Sequence, residues 1–428
     1  MFLKRIMLLL RHIPFLKTVF IYSFTAFGGP QGHIGMMSKT FVQKRKDITD
    51  DELLEFNSFC QMLPGPSSTQ TVMLIAMKRG GIPLACITLL LWVMPAAIIM
   101  GAFSFLLRYF DSKDIQTNLF EFIQPMSVGF VCFAAARMMK TTTQHIATTL
   151  IMMGGFLVTI AIRSPWVFPA LLVISGIVSN FSNKRIPDSY EKPKRINWVN
   201  LWLFAFIFIG AGILSELAIS HHWAHGRVFN LFENFYRFGS IVFGGGQALL
   251  PMMLFQFANG RPGSITPDVL MTGYGMVQAV PGPVFSVCSF VGGMVMSQYG
   301  TFWQIVGCFT AIIAVFLPST LLLFFFFPIF QNLKHHVIIY RALEGINAVV
   351  VGIIWASGIL LFQAISPIKL SHILYLNPNI SILHTISPYS FEWSNLVVAI
   401  ITFCLLYFTK IPAPFIVLAW LLLGWTMH

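Results

Sequence analysis

The stretch Leu201–Leu214 is an unbroken apolar run, and similar runs follow one another along most of the chain. It lacks the alternation of polar and apolar residues that marks a half-buried strand. Apolar residues make up 56% of the 428 residues, charged residues make up 10%, and the mean hydropathy is +0.77, so too little polar surface exists to cover a soluble globule. The sequence therefore predicts an all-α polytopic membrane protein, with apolar residues for about a dozen crossings of about 20 residues each.

Charge and cysteine patterns argue against several classes of function. The formal net charge is +12, but the basic residues form short clusters between apolar runs, as in cytoplasmic loops, and not a nucleic-acid-binding surface. The six cysteines lie singly in apolar segments without CxxC spacing, so neither a zinc site nor a disulfide framework is indicated. We therefore expect no metal ion, no cofactor and no nucleic acid as a ligand.

An internal repeat divides the chain. Phe27-Gly28-Gly29-Pro30-Gln31 is matched by Phe243-Gly244-Gly245-Gly246-Gln247, which begins 216 positions later, close to half the chain length. Pro64-Gly65-Pro66 follows Gln61 at the same spacing at which Pro281-Gly282-Pro283 follows Gln278. Further pairs in the same order are Pro95 with Pro318, Glu121 with Glu344, and Gly129 with Gly352. An ordered series of this kind indicates a duplicated folding unit, broken in each copy at a Gly-Gly and a Pro-Gly-Pro segment.

The basic clusters predict the topology. The segments that flank each break are about 12 to 15 residues long, so as helices they cover only about 18 to 22 Å of a hydrocarbon core about 30 Å thick. We interpret them as re-entrant hairpins, although fully spanning hairpins would give the same sidedness. A short basic segment before Pro14 lacks a small-residue cleavage site, so we expect the N-terminus to be retained, in the cytoplasm.

Three domains follow from this reading. Residues 1–181 form the first repeat, residues 182–219 form a basic cytoplasmic linker plus a single connecting span, and residues 220–428 form the second repeat. A single connecting span makes the second repeat start from the opposite face, so the two repeats are expected to be inverted. The predicted location is a plasma membrane of the bacterial inner-membrane type, which the chain crosses several times.

The breaks are the predicted binding site. In lipid, unwound backbone is tolerated only where protein or a water-filled cavity surrounds it, and each break also starts a helix whose first N–H groups lack acceptors. Up to four such helix N-termini can hold a tetrahedral anion without any lysine or arginine in the membrane. The predicted substrate-binding residues are Gly28, Gly29, Gln31, His33, Gln61, Pro64, Gly65, Ser67, Ser68, Thr69, Gly244, Gly245, Gln247, Gln278, Pro281, Gly282 and Ser286.

Less specific interpretations stay open. Each Pro-Gly-Pro segment can be a simple kink, His33 can cap a nearby carbonyl, and the hydroxyls of residues 67–69 can bond back to their own helix. Glu121 and Glu344 suit the membrane interface better than a proton relay. The histidines at 221, 222 and 225 resemble a metal cluster, but a solvated loop accounts for them as well. No nucleophile with a neighbouring base and no phosphate-binding loop is visible, which argues against an enzyme or an ATP-driven pump.

Several motifs resemble one known family. Phe27-Gly28-Gly29-Pro30 with His33, Phe59–Ser68, Phe243–Pro251 and Gln278–Pro283 are similar in sequence and order to the chromate ion transporter family, in its two-unit, long-chain form. The resemblance implies the fold and an anion substrate, and, more specifically, export of chromate from the bacterial cytoplasm. Two departures, at Gln31-Gly32 and at Gln247, bear on the substrate and not on the fold.

The predicted function is therefore secondary transport of a small tetrahedral oxyanion, with chromate export as the specific expectation. Sulfate or another oxyanion is the alternative, and a membrane-embedded enzyme or a non-transporting scaffold is a more distant one. The expected partners are a small inorganic oxyanion and the lipid bilayer. A homodimer is considered, and the oligomeric state stays open.

Overall fold

A computed structural model of the chain describes residues 11–27, 29–109, 119–162, 164, 166–181, 198–223, 225–243, 245–258, 264–329, 337–366 and 393–427. All regular secondary structure in these ranges is helical, and they contain no strand. The prediction of an all-α protein is therefore confirmed. Four of the described helices are long and apolar enough to cross a membrane: Ser67–Tyr109, Val199–Ser220, Thr301–Ile329 and Arg341–Ile365.

The first half of the chain forms eight described helices. These are α1 (Ile13–Thr25), α2 (Gly29–Met37, continued by a π-helical stretch over Ser38–Lys44), α3 (Asp50–Gln61), α4 (Ser67–Tyr109), α5 (Ile123–Thr142), α6 (Ile146–Ala161), α7 (Val167–Ser179) and α8 (Val199–Ser220). Helix α4 is two helices joined at a kink, because Gly80 and Gly81 have non-helical dihedral angles.

The second half repeats this order. Its helices are α9 (Gly226–Ile241), α10 (Leu249–Phe257), α11 (Pro267–Val277), α12 (Val287–Met296), α13 (Thr301–Phe326), α14 (Val337–Ile365), α15 (Trp393–Phe408) and α16 (Ala413–Thr426). Short 3-10 turns precede α10 (Gly246–Ala248) and α12 (Val284–Ser286). Further turns follow α12 and α13, over Ser297–Tyr299 and Phe327–Ile329.

Backbone conformation shows the duplication directly. Every described glycine with a positive φ belongs to a pair at equivalent repeat positions. The pairs are Gly29 (68°) with Gly245 (99°), Gly65 (109°) with Gly282 (112°), and Gly81 (72°) with Gly300 (104°). The helices that lead to the two Pro-Gly-Pro segments also start alike, since Thr49 caps α3 and Thr266 caps α11 with a side-chain oxygen. The repeat inferred from the sequence is thus present in the backbone.

The chain forms two compact units, and each draws on both repeats. The first unit contains Met1–Leu106, Lys184–Gly246 and Val280–Tyr340. The second contains Leu107–Asn183, Gln247–Ala279 and Arg341–His428. The division at residues 181 and 219 follows the repeat and stays a prediction of the sequence.

In the first unit, the ends of the first two hairpins meet. Arg45 Nη1 donates to the Pro14 carbonyl at 3.1 Å, so the π-helical stretch after α2 ends near the start of α1. Arg45 and Arg79 both pair with Asp47, and Lys78 pairs with Glu52. The first two hairpins therefore return to a common end, and the side of the membrane on which that end lies stays a prediction. How deeply they enter a membrane stays a prediction.

In the second unit, glycines let helices from different repeats touch. A methyl group on Gly129 of α5 would lie 2.7 Å from the Ala399 carbonyl oxygen of α15. Its repeat equivalent, Gly352 of α14, would lie 2.1 Å from the Met152 carbonyl oxygen of α6. Close backbone contact at small residues is a common way in which membrane helices associate.

These contacts give a stability prediction. Gly352→Ala should destabilise the protein by about 1 to 3 kcal/mol, because the new methyl group forces α14 away from the α6 backbone. Gly154→Ala is the matched control, since nothing lies within 4 Å of the added carbon there. The thermal unfolding midpoint of the purified protein in detergent measures both variants, and equal midpoints would contradict the packing described.

Candidate functional site

All four helix breaks lie in the first compact unit, and main-chain hydrogen bonds join them crosswise. The Gly65 N–H, in the first Pro-Gly-Pro segment, donates to the Val242 carbonyl before the second Gly-Gly break at 2.7 Å. The equivalent Gly282 N–H donates to the Ala26 carbonyl before the first Gly-Gly break at 2.9 Å. Each Pro-Gly-Pro segment is therefore attached to the opposite repeat.

Contacts within each repeat complete the arrangement. In the first repeat, His33 Nδ1 lies 3.0 Å from Ser68 Oγ and links the helices that follow the two breaks. In the second repeat, a methyl group on Gly246 would lie 2.7 Å from Val284 Cγ1, so these segments also touch. Each break thus contacts two others, and we call this closed arrangement the four-break ring.

The two Pro-Gly-Pro segments need glycine for the same reason. A side chain at a φ near +110° is strained, and there is also no space for one. A Cβ on Gly65 would lie 2.4 Å from Ser319 Cβ, and a Cβ on Gly282 would lie 2.9 Å from Ala96 Cβ. Ser319 and Ala96 each follow one of the paired prolines, Pro318 and Pro95. The repeat symmetry therefore extends to the packing behind each segment.

A polar network surrounds the first-repeat side of the ring. Tyr22 donates its hydroxyl to the His33 carbonyl at 2.9 Å and stacks on Trp92 with ring centres 4.8 Å apart. Trp92 donates its indole N–H to Thr69 Oγ1 at 3.0 Å, and His33 meets the same indole edge-on. The hydroxyls of Ser68 and Thr69 therefore pair with side chains of other helical segments, and the alternative of bonds back to their own helix is wrong for these two.

Three buried polar atoms near the ring have no hydrogen-bond partner: His33 Nε2, Gln70 Oε1 and Ser286 Oγ. These side chains are at most 1% exposed. The Ala26 carbonyl lies near the His33 imidazole, and it already accepts the Gly282 N–H. Buried polar atoms are nearly always paired, so their concentration beside the helix N-termini indicates a place for a polar ligand.

The polar network belongs to one repeat only. The first repeat has Tyr22, His33, Ser68 and Trp92, and the equivalent positions of the second repeat are Phe238, Leu249, Phe285 and Val315. The two repeats therefore share a backbone but differ in the chemistry of their side chains.

Six other predicted site residues are exposed, belong to the second compact unit or are not fully described by the structure. Gly28, Gly244 and the side chain of Gln31 lie outside the described residues, and the Gln61 side chain is exposed. Gln247 and Gln278 belong to the second compact unit. The first N–H groups after each break were predicted to lack acceptors. For Ser286 this prediction is wrong, because its N–H donates to the Pro283 carbonyl at 2.9 Å in the 3-10 turn that precedes α12.

No metal centre is evident in the described part of the chain, where no group of three His, Cys, Asp or Glu residues could hold an ion. The histidines at 221, 222 and 225 are exposed between α8 and α9. His225 stacks on Trp303, with ring centres 4.0 Å apart.

A charged pair on α9 was not predicted from the sequence. Glu233 and Arg237 lie on α9, and Arg237 Nη1 is 3.5 Å from Glu233 Oε1. The signal in the sequence was an acidic and a basic residue four positions apart in the segment that leads to the second Gly-Gly break.

Comparisons with known proteins agree with the resemblance described from the motifs. The chain is 25% identical to an uncharacterised transporter of Methanocaldococcus jannaschii, over 77% of this chain and 79% of the relative. It is 23% identical to a probable chromate transport protein of Synechococcus elongatus (78% of this chain, 80% of the relative). It is also 23% identical to a chromate transport protein of Cupriavidus metallidurans (78% and 79%). No solved structure gives a significant match.

The family model described as chromate transporter matches residues 13–180 and 229–425, one block in each half of the chain. These two blocks contain both copies of every paired break. The protein therefore belongs to the chromate transporter family.

Proposed function

We propose that this protein is a secondary transporter that exports chromate or a closely similar tetrahedral oxyanion from the cytoplasm, and that the four-break ring is its anion site. The observation that carries the proposal is the ring itself, with its three unpartnered buried polar atoms. Relatives named as chromate transport proteins support the choice of chromate. Family membership makes the chain a transporter and not an enzyme.

The ring offers donors without a permanent positive charge. Helix α4 begins at Ser67, so its first N–H groups point to the break with the partial positive charge of a helix N-terminus. If Ser68 donates its hydroxyl proton to His33 Nδ1, the imidazole carries its own proton on Nε2 and can donate it to an anion oxygen. A neutral site rich in donors binds an oxyanion and still releases it.

Export requires no ATP in this scheme. Moving a dianion outward through an inside-negative potential of about 100 mV is favourable by about 4.6 kcal/mol, at about 2.3 kcal/mol per charge. We assign the N-terminus and the basic clusters to the cytoplasm, and we place the hairpins as re-entrant with the breaks near mid-membrane, which fits the 13 residues of α1. Sulfate has the same charge and shape, so it is the second candidate substrate.

Flux measurements test this proposal. Purified protein in proteoliposomes with an imposed potential should move labelled chromate faster than labelled sulfate. His33→Leu, which introduces the residue found at the equivalent position of the second repeat, should lower chromate flux about 10- to 100-fold, because a hydrogen bond to a charged ligand contributes about 1.5 to 3 kcal/mol.

Further variants and a control sharpen the test. The paired variants Pro64→Ala/Pro281→Ala and Gln61→Ala/Gln278→Ala test the predicted tips, and His222→Leu, in an exposed loop, is the matched histidine control. Absence of flux of both anions in the unmodified protein rejects the function. Unchanged flux in all the ring variants rejects the site.

A further inference from the structure

Helix α9 lies against the apolar helix α8, and two hydrogen bonds define their register. Asn230 Nδ2 donates to Ser215 Oγ at 3.2 Å, and the Tyr236 hydroxyl donates to the Phe204 carbonyl at 3.1 Å. Glu233 lies midway between Asn230 and Tyr236, so it lies alongside the middle of α8, which is one of the four candidate membrane spans. A carboxylate and, one turn later, a guanidinium therefore lie at the depth of an apolar span.

Arg237 contacts two polar side chains of its own helix. Arg237 Nη1 lies 3.5 Å from Glu233 Oε1, and Arg237 Nη2 donates to Asn234 Oδ1 at 2.6 Å. The Arg237 and Glu233 side chains are only 14% and 20% exposed, and Asn234 is fully buried. A charged side chain at mid-membrane costs about 2.5 to 3.5 kcal/mol even on the most lenient scale.

Arg237 lies shortly before the four-break ring along the chain. Helix α9 ends at Ile241, and the next carbonyl, of Val242, accepts the Gly65 N–H. Arg237 precedes Val242 by five residues, which is about 7.5 Å along a helix axis. Asn230, Asn234 and Arg237 follow one another at intervals of four and three residues, so they form a polar stripe that runs toward the ring.

The first repeat has no such stripe. The positions equivalent to Asn230, Asn234 and Arg237 are Pro14, Thr18 and Ile21, and the position equivalent to Glu233 is the exposed Lys17. Because the two backbones correspond, the duplicated fold does not need the charged pair. The pair is therefore a property of the second repeat alone.

We propose that Arg237 is a second oxyanion-binding position, one to two helical turns from the ring, and that Glu233 is its counter-ion when no anion is bound. This inference rests on the proposed function. A guanidinium binds a tetrahedral oxyanion through two parallel hydrogen bonds, and a dianion competes with the carboxylate for those donors. The competition limits how tightly the anion is held, so Arg237 attracts the substrate and Glu233 promotes its release.

Charge-removing variants test the inference in proteoliposomes. Arg237→Gln should raise the KM for chromate at least about tenfold, which corresponds to about 1.4 kcal/mol. Glu233→Gln should lower KM about five- to tenfold and also lower kcat, because the anion is then released more slowly. The double variant Arg237→Gln/Glu233→Gln leaves no unpaired charge in this pair, so it should fold, and its KM should stay as high as that of Arg237→Gln.

A purely structural pair predicts a different pattern. Glu233→Gln would then leave KM unchanged, and the double variant would recover the KM of the unmodified protein; either result overturns the inference. Lys17→Gln is the matched control at the equivalent position of the first repeat and should change neither constant.

Binding in detergent separates this inference from the proposed function. The Kd for chromate and for sulfate, measured by calorimetry, should change in the same directions as KM. If the unmodified protein binds an anion but does not move it, the proposed function fails and the Kd comparison still decides the role of Arg237. If Arg237→Gln binds both anions as tightly as the unmodified protein, the inference fails.

Discussion

Gly65→Ala and Gly282→Ala should each lower chromate flux by at least about tenfold. Both glycines have a φ near +110°, where any other residue carries about 1 to 3 kcal/mol of strain. An added Cβ would lie 2.4 Å from Ser319 Cβ and 2.9 Å from Ala96 Cβ, respectively. Relief of either clash moves the N–H group that joins the two repeats, so the four-break ring opens. Flux in proteoliposomes, with the unfolding midpoint in detergent, measures the effect.

Gly35→Ala is the matched control for these two variants. Gly35 lies on α2, just after His33, with no positive φ and nothing within 4 Å of an added carbon. It should therefore keep normal flux and a normal unfolding midpoint. If Gly65→Ala and Gly282→Ala transport as well as Gly35→Ala, the main-chain bonds of the ring are not required for transport.

Asp47→Asn should cause the largest loss of stability among single charge changes, about 2 to 4 kcal/mol. The Asp47 side chain is 2% exposed and pairs with both Arg45 and Arg79. Both guanidinium groups also lie over the Phe15 ring, at 5.7 and 5.6 Å from its centre. Removal of the carboxylate leaves two partly buried positive charges close together, which is the costly way to break an ion pair. The unfolding midpoint in detergent is the direct measurement.

Asp51→Asn supplies the comparison for this effect. Asp51 is an exposed residue in the first turn of α3, so loss of its charge should change stability by less than about 1 kcal/mol. A midpoint for Asp47→Asn that equals that of Asp51→Asn would show that the Asp47 cluster does not hold the hairpin ends together.

The repeat and its breaks could be predicted from the sequence because they depend on local chemistry. Gly29, Gly65 and their equivalents were recognised as breaks, and the structure gives these four glycines the positive φ that such breaks use. The paired Gly129 and Gly352 were recognised as equivalent, although only the structure shows that each contacts a helix of the other repeat.

Contacts between distant segments were beyond the sequence. The hydrogen bond from Gly65 to Val242 joins residues 177 positions apart, and no local pattern specifies such a partner. The Ser68 partner of His33 depends in the same way on how two hairpins return past each other. Arg237 was missed for another reason: basic residues were expected in loops, whereas Arg237 lies within helix α9 and pairs there with Glu233.

The four-break ring is closed across the repeats by backbone atoms, at Gly65 with Val242 and at Gly282 with Ala26. Only two small glycines are required there, so the neighbouring side chains can change without loss of the architecture. The two repeats accordingly carry different side chains on equivalent backbones, with His33 in the first repeat and Arg237 in the second. A difference of this kind allows two halves with the same backbone to act differently in the two directions across a membrane.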